Sequence, residues 1–560
     1  MPAAGLTQME GDEMRHRILV AGLAMAGLVI LPAHAAPPRQ VAGQADPSVE
    51  PASASAGWQQ VSAVVHVHSA ASTGEYSLST LSDVARGAGI DVIVLGENLV
   101  LDIRYAPWPF RYFGEINRVL PSIRERGAAS FLAEVGEVQS RQPEPLFLPG
   151  VEVMPHYYWT GSLARNTKTL HNTQRNMLVV LPPSSESSQS PDAIKRGTEF
   201  LQGLPAIGNE GGQQFGWRSF TALLPGLFLL AYGLRRLRRA RPQPRVDWRG
   251  TVGMVRPGTH RIPMKEVALI ALLLAAGIYM LIHNFPYSSP VYSPYDPEVG
   301  IAPYLALIEY TQEQGGLAYW SMPEEPDRGE VDAGPFTVRL STESYPEAFE
   351  LTEAYTGFGG LYAGNTSLTG TGDQWDRTLL SYCRGERDRV PSIIGESAFH
   401  YTGQAGKRIS DILTMLWVHE LSQKEAFEAL SSGRSYAMQR SPTDSLRLQE
   451  FTLVARGSDG RVAWPGETLD LADLAEGNGD RPLEFDLVVE IAAESGETMP
   501  VHVEIVRQGE THLTWEGTTP FRRSINEVIE PGEECVYYRV RARGPEPLRI
   551  VSNPIFARKK

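Results

Sequence analysis

His66 and His68 lie in the run Val61-Ser-Ala-Val-Val-His66-Val-His68-Ser69. Apolar residues crowd Val61 to Val67, which predicts a buried strand. Residues i and i+2 of a strand face the same side. The two imidazoles would therefore point to one place and could grip one Zn, Mn or Fe ion. Further along, Leu146-Phe-Leu-Pro-Gly150-Val-Glu152-Val153 puts a carboxylate on another predicted strand.

Such groups meet only if a scaffold gathers them. Ser77 to Gly89 reads as a helix ending at Gly87 or Gly89, and Ile90 to Leu95 as a second buried strand. The Glu152 segment is the third strand, and Asn176-Met-Leu-Val-Val-Leu181 the fourth. Pro303 to Gln314 reads as a helix, and Gly315 to Ser321 as a strand. Leu351 to Ala354 and Ser392 to His400 continue the series. Strands alternating with helices predict a parallel sheet or barrel.

The ordered set HVHSAAS, GIDVIVLGEN, GVEV, GGLAYWSMP and GESAFHY resembles the PHP superfamily of polymerase and histidinol phosphatase domains. The tail, with Tyr538-Arg-Val and Ser552-Asn-Pro-Ile555, looks like its carbaryl-hydrolase-like metallohydrolase branch. The resemblance covers about 60–182 and 286–440 plus the tail. It implies a distorted barrel of seven parallel strands with metal at the C-terminal strand ends, and hydrolysis of phosphoesters. His66 and His68 look like the family's opening metal pair, Glu152 like its bridging glutamate, and His400 like its last histidine. Four other ligand positions hold other residues: Asn98, Asn176, Met322 and Ala398. The motifs are thus degenerate, and the expectation is one divalent ion, or none, rather than three. Two imidazoles and a carboxylate match a three-ligand zinc set with an open position. Such an ion lowers the pKa of its water from ~15.7 to about 7. Glu97 or His400 could serve as general base or orienting partner. His156 and His171, near the fourth element, could replace lost ligands, but read rather as surface histidines. A Gly-x-Ser-x-Gly elbow and a phosphate loop with a following lysine are both absent.

The chain has 560 residues, 42% of them apolar and 21% charged, so most of it can fold around cores. Against 51 Lys+Arg stand 65 Asp+Glu, a formal charge of −14, which argues against a nucleic-acid partner. Residues 1–35 read as a signal peptide: Arg15-His16-Arg17, an apolar run from Ile18 to Leu31, and a cleavage site after Ala35. Residues 36–57 read as a linker. The apolar runs 219–234 and 267–285 read as a transmembrane hairpin within 217–285. Ten Lys/Arg and one Asp between Arg235 and Lys265 predict a cytoplasmic loop.

The expected organisation is therefore a PHP-like barrel in two parts, 58–216 and 286–441, interrupted by the hairpin. Alternating strands in 442–560 predict an immunoglobulin-like β-sandwich. Cys383 and Cys535, far apart, form no metal-ligand spacing. The expected protein is anchored in the lipid bilayer, with its main domains extracytoplasmic, periplasmic in a Gram-negative cell. It would hydrolyse a phosphoester or related small-molecule ester. The alternative is a catalytically degenerate barrel that binds a ligand or partner without turnover.

Overall fold

Strand β1, Gln59–Val67, is buried from Val61 onward, as its run of β-branched residues requires. Helix α1, Leu78–Gly87, starts where Ser77 accepts a hydrogen bond from the Thr80 N–H at 3.2 Å. It buries Leu78, Leu81 and Ala85, one helical face. The computed structural model describes residues 57–105, 116–184, 189–206, 213–214, 217–240, 245–247, 254–256, 262–283, 289–333, 336–362, 367–456, 460–476 and 481–559. The expected signal peptide and nearly all of the linker lie outside the described residues, as does about half of the basic loop.

The chain divides into two compact units. One takes in Met1–Val100, Leu120–Ile207 and Pro294–Lys560; the other takes in Leu101–Val119 and Gly208–Ser293.

In the first unit, β2 (Val92–Leu95) runs parallel to β1, and β4 (Leu146–Leu148) parallel to β2. Just beyond them, β3 (Glu97–Asn98) pairs in parallel with β5 (Gly150–Val153). Strand β6 (Met177–Val180) follows, then β7 (Leu317–Trp320), β8 (Gly357–Leu361) and β9 (Ser392–Gly395). The chain continuing from β9 returns to β1. Ser397 N–H bonds Val65 O at 3.0 Å, Phe399 N–H bonds His66 O at 3.0 Å, and His68 N–H bonds Phe399 O at 2.9 Å.

One strand departs from the parallel expectation: β6 is antiparallel to both β5 and β7. A parallel neighbour needs a crossover back to the starting end, usually a helix. Between β5 and β6 the chain instead forms two short strands, Tyr158–Thr160 and Thr169–His171, and a 3₁₀ turn. Leu351–Ala354 is not the expected strand either. Leu351 ends a short helix, Ala348–Leu351, that follows Pro346, and the strand comes later as β8. With three glycines in Gly357-Phe-Gly-Gly-Leu361, β8 carries almost no apolar alternation to read.

Beyond β9, β10 (Ile412–Val418) and β11 (Ser435–Gln439) extend the sheet on the other side of β1. A helix, Gln423–Ser432, connects them and ends at Gly433 in the left-handed region. The tail joins the same sheet, because its strand Arg549–Ser552 pairs with β11. Asn553 secures the junction: its Oδ1 accepts from Ile393 N–H at 2.7 Å and its Nδ2 donates to Ser435 O at 3.1 Å. A separate four-stranded sheet contains Leu446–Ala455, Leu483–Ala493 and Phe521–Ile529. Cys383, at the end of helix Gln374–Cys383, is disulfide-bonded to Cys535 on strand Cys535–Arg543. The same helix and strand share a fully buried ion pair, Asp376 with Arg539 at 2.6 Å.

The second unit holds the apolar runs. They lie in two helices packed on each other, Trp217–Ala240 and Met264–His283. Both leave large apolar side chains exposed, among them Phe228, Tyr232, Leu272 and Ile282. Met264–Ile282 is long and apolar enough to cross a membrane, by length and composition.

Candidate metal centre

His66 stands where the β1–β2 ladder breaks. Its φ is +68°, and the register shifts between Val65 and Val67. Histidine tolerates that left-handed conformation better than a β-branched residue would. The bulge brings His66 Nε2 to 3.1 Å from His68 Nε2. Glu152, on β5 opposite Asn98 and Leu178, completes the set. Its Oε1 lies 3.6 Å from His66 Nε2, and its Oε2 3.8 Å from His68 Nε2.

These separations suit an ion. With metal–ligand bonds of ~2.1 Å, the edges of a tetrahedron are about 3.4 Å. Among the described residues, His66, His68 and Glu152 are the group whose donor atoms lie close enough to hold one metal.

The surroundings orient each donor. Glu396 Oε1 sits 2.6 Å from His66 Nδ1, leaving Nε2 turned to the shared space. A carboxylate behind a ligating imidazole fixes its tautomer and raises its basicity. Glu396 in turn accepts from Ser321 Oγ at 2.5 Å and from Met322 N–H at 2.9 Å. Asn176 Nδ2 donates to Glu152 Oε1 at 2.7 Å. The Asn98 side-chain amide lies 3.3 Å from His68 Nδ1. Space for this packing comes from missing side chains. A Cβ on Gly96 would lie 2.5 Å from His66 Cδ2, and one on Gly359 would lie 1.8 Å from Glu396 Oε2.

The electrostatics separate the histidines. Burial lowers the pKa of His66, but the Glu152 charge and the hydrogen bonds of Glu152 and Glu396 outweigh it and push it up to about 10. Burial holds His68 well below its usual value, reinforced by His400 and His66. Glu152 stays below the usual carboxylate range, since His66 and Asn176 overcome the effect of its burial.

His400 is not one of the three close donors. Its ring stacks on His68 with centroids 4.1 Å apart, and its Nδ1 is 3.3 Å from Ala398 O. Burial lowers its pKa, so it is neutral near pH 7. Glu97 faces elsewhere: it accepts from Ser69 N–H at 2.8 Å, from the Ser69 hydroxyl at 2.5 Å and from the Ser72 hydroxyl. Its carboxylate thus braces the loop after His68 rather than the shared space. Burial pushes its pKa up to about 7 against those hydrogen bonds. His156 is buried, not on the surface, and His171 hydrogen-bonds Thr160 Oγ1 at 2.8 Å. Neither belongs to the donor group.

Sequence reasoning passed over Glu396 and Ser321. Glu396 follows directly after β9, as Glu97 comes within two residues of the end of β2. That placement was the available signal.

No family model matches the chain, and no curated protein does. Among solved structures, it is similar to a two-domain Bacteroides vulgatus protein containing a predicted PHP-like metal-dependent phosphoesterase. The identity is 10%, covering 86% of this chain and 91% of that one, with a TM-score of 0.29. It is also similar to a candidate metal-dependent phosphoesterase from Bifidobacterium adolescentis. Here the identity is 14%, covering 62% of this chain and 88% of that one, with a TM-score of 0.24. At such identities and scores, the reading of the site rests on its own geometry.

Proposed function

We propose that the protein is a PHP-like, single-metal hydrolase of phosphoester or related ester substrates, built on a seven-stranded barrel. The observation that carries this is the donor set of His66, His68 and Glu152, with separations of 3.1, 3.6 and 3.8 Å. The hydrogen bonds from 397–399 back to β1 support closure of the barrel. A divalent ion held there would supply Lewis acidity and an activated water. The chain's own residues do the rest. Glu396 holds His66, Asn176 holds Glu152, and neutral His400 stands beside His68 as the group able to take or give a proton. Purified wild type should contain about one divalent ion per chain, and His66→Ala close to none, by elemental analysis. Near-zero metal in both, with no hydrolysis of bis(p-nitrophenyl) phosphate, would favour the binding-module reading. That reading draws its support from the four family ligand positions occupied by Asn98, Asn176, Met322 and Ala398.

The protein is further proposed to be membrane-anchored, with both long flanks extracytoplasmic. The exposed apolar faces of the two packed helices support the anchor. The Cys383–Cys535 bond supports an oxidising compartment. Because the native cysteines are paired, introduced thiols can report topology. An impermeant reagent should label Asn478→Cys and not Gly250→Cys in intact cells; the opposite pattern refutes the orientation.

A further inference from the structure

We propose that the cavity bounded by Ser397, Lys407, Arg408 and Arg440 is an oxyanion subsite that receives a phosphate, carboxylate or sulfonate group of the substrate. The inference rests on the hydrolase reading for its use, but the binding itself does not.

The cavity measures about 230 Å³, far more than the ~10–15 Å³ that one water needs. Three cationic side chains and one carboxylate, Asp411, border it in a chain whose formal charge is −14. Two of the cations are already engaged. Arg408 donates to Asp411 Oδ1 through Nε at 2.9 Å and Nη2 at 2.6 Å. Arg440 Nη2 lies 3.4 Å from Glu494. Lys407 differs: among the described residues its Nζ forms no hydrogen bond and no ion pair, although it is half-buried. Burial pulls its pKa down, while Glu325, Glu396 and Asp411 act on it from beyond ion-pair distance. A partly desolvated ammonium without a partner is costly unless a ligand supplies one. The Ser397 side chain, only 5% exposed and without a hydrogen bond among the described residues, adds a donor to the same wall.

The cavity is tied to the metal centre. Ser397 follows Glu396, the carboxylate behind His66. The turn carrying Lys407 is closed by Gly403 N–H to Lys407 O at 2.9 Å, and its Gln404 Oε1 accepts from His400 N–H at 3.1 Å. One turn therefore places both the ammonium and the imidazole that faces His68. A substrate carrying a negative group apart from its scissile ester could be held at the first while it reacts at the centre.

The test is titration of the full-length, EDTA-treated protein with inorganic phosphate, followed by calorimetry. Removing metal ensures that binding reports the cavity and not an ion. Wild type should bind phosphate at one site, Lys407→Met should weaken it at least tenfold, and Lys407→Arg should restore most of the affinity. Equal binding in wild type and Lys407→Met, or no binding in wild type, overturns the subsite. Phosphate binding without any esterase activity would support the subsite while refuting the hydrolase; activity without phosphate binding would do the reverse.

Discussion

Metal uptake by this protein should release one proton per ion, and the proton should come from His66. In the metal-free site His66 lies between Glu152 at 3.6 Å and Glu396 at 2.6 Å, which pushes its pKa up to about 10. At pH 7.5 it is therefore almost wholly protonated, and a ligating nitrogen must lose its proton first. The other two donors contribute none. His68 is neutral because burial lowers its pKa, and Glu152 is ionised because His66 and Asn176 lower its pKa. Displacing a proton from a group about 2.5 units above ambient pH costs about 3 kcal/mol, near a 300-fold loss of apparent affinity. Apparent affinity should then rise about tenfold per pH unit from roughly pH 7 to 10. Calorimetry of Zn binding in two buffers of different ionisation enthalpy counts the protons directly. Tight binding with a proton count near zero, or an affinity flat between pH 7 and 9, would refute the placement of His66 between two carboxylates.

Other expectations follow from the same geometry. Metal-free protein should lose thermal stability as pH rises toward 10. A folded-state pKa raised above 6.5 contributes stability that is complete below 6.5 and disappears as pH passes through about 10. Thermal melts of the EDTA-treated protein across pH 6 to 10 check this. Glu396→Gln should lower metal affinity about 10–100-fold, as loss of an orienting carboxylate usually does, and should also reduce the proton count at pH 7.5. Asp376→Asn leaves the fully buried Arg539 without its counter-charge and should destabilise by about 3–5 kcal/mol in denaturant unfolding, with metal content per folded chain unchanged. Cys383→Ser removes a crosslink spanning 152 residues and should cost about 2–4 kcal/mol by the same assay.

The His-x-His pair was legible because strand burial and a two-residue spacing are local properties. The route by which it forms was not, because the bulge at His66 depends on hydrogen bonds from Phe399, more than 300 residues away. Glu152 was legible as a carboxylate on an apolar strand. Glu97, expected as general base or orienting partner, was legible only as a carboxylate near the site. Its position after β2 suggests the site, but the hydroxyls of Ser69 and Ser72 capture it, and three-dimensional competition of that kind leaves no spacing signal. The elements of strong pattern, such as helix Leu78–Gly87 and strand Val92–Leu95, follow from caps and burial. The glycine-built strand Gly357–Leu361 does not, since a strand without side chains has no alternation. The direction of β6 is likewise invisible locally, because it is decided by the absence of an α-helix in the preceding connection.

The charges of the site also argue for one ion rather than several. Glu152 is ionised, while His68 and His400 are neutral near pH 7. Once His66 gives up its proton, Glu152 is the charged donor of the set, with the Glu396 carboxyl behind His66, so a single divalent cation already takes up the negative charge the donors offer. Further divalent ions would leave positive charge uncompensated among side chains such as His66, His68 and Glu396, each about 1% exposed, where an unpaired charge costs several kcal/mol. The neutral amides of Asn98 and Asn176 and the Ala398 methyl add no charge that could offset them. Their neutrality is thus consistent with the geometry of the donor set, which closes around one point. Ala398, at φ +45°, is a position that aspartate tolerates. Ala398→Asp together with Met322→His would add one carboxylate and one imidazole, so the double variant should bind more metal than wild type. A stoichiometry still at one in that variant would show that the shape of the site, rather than its charge, sets the limit.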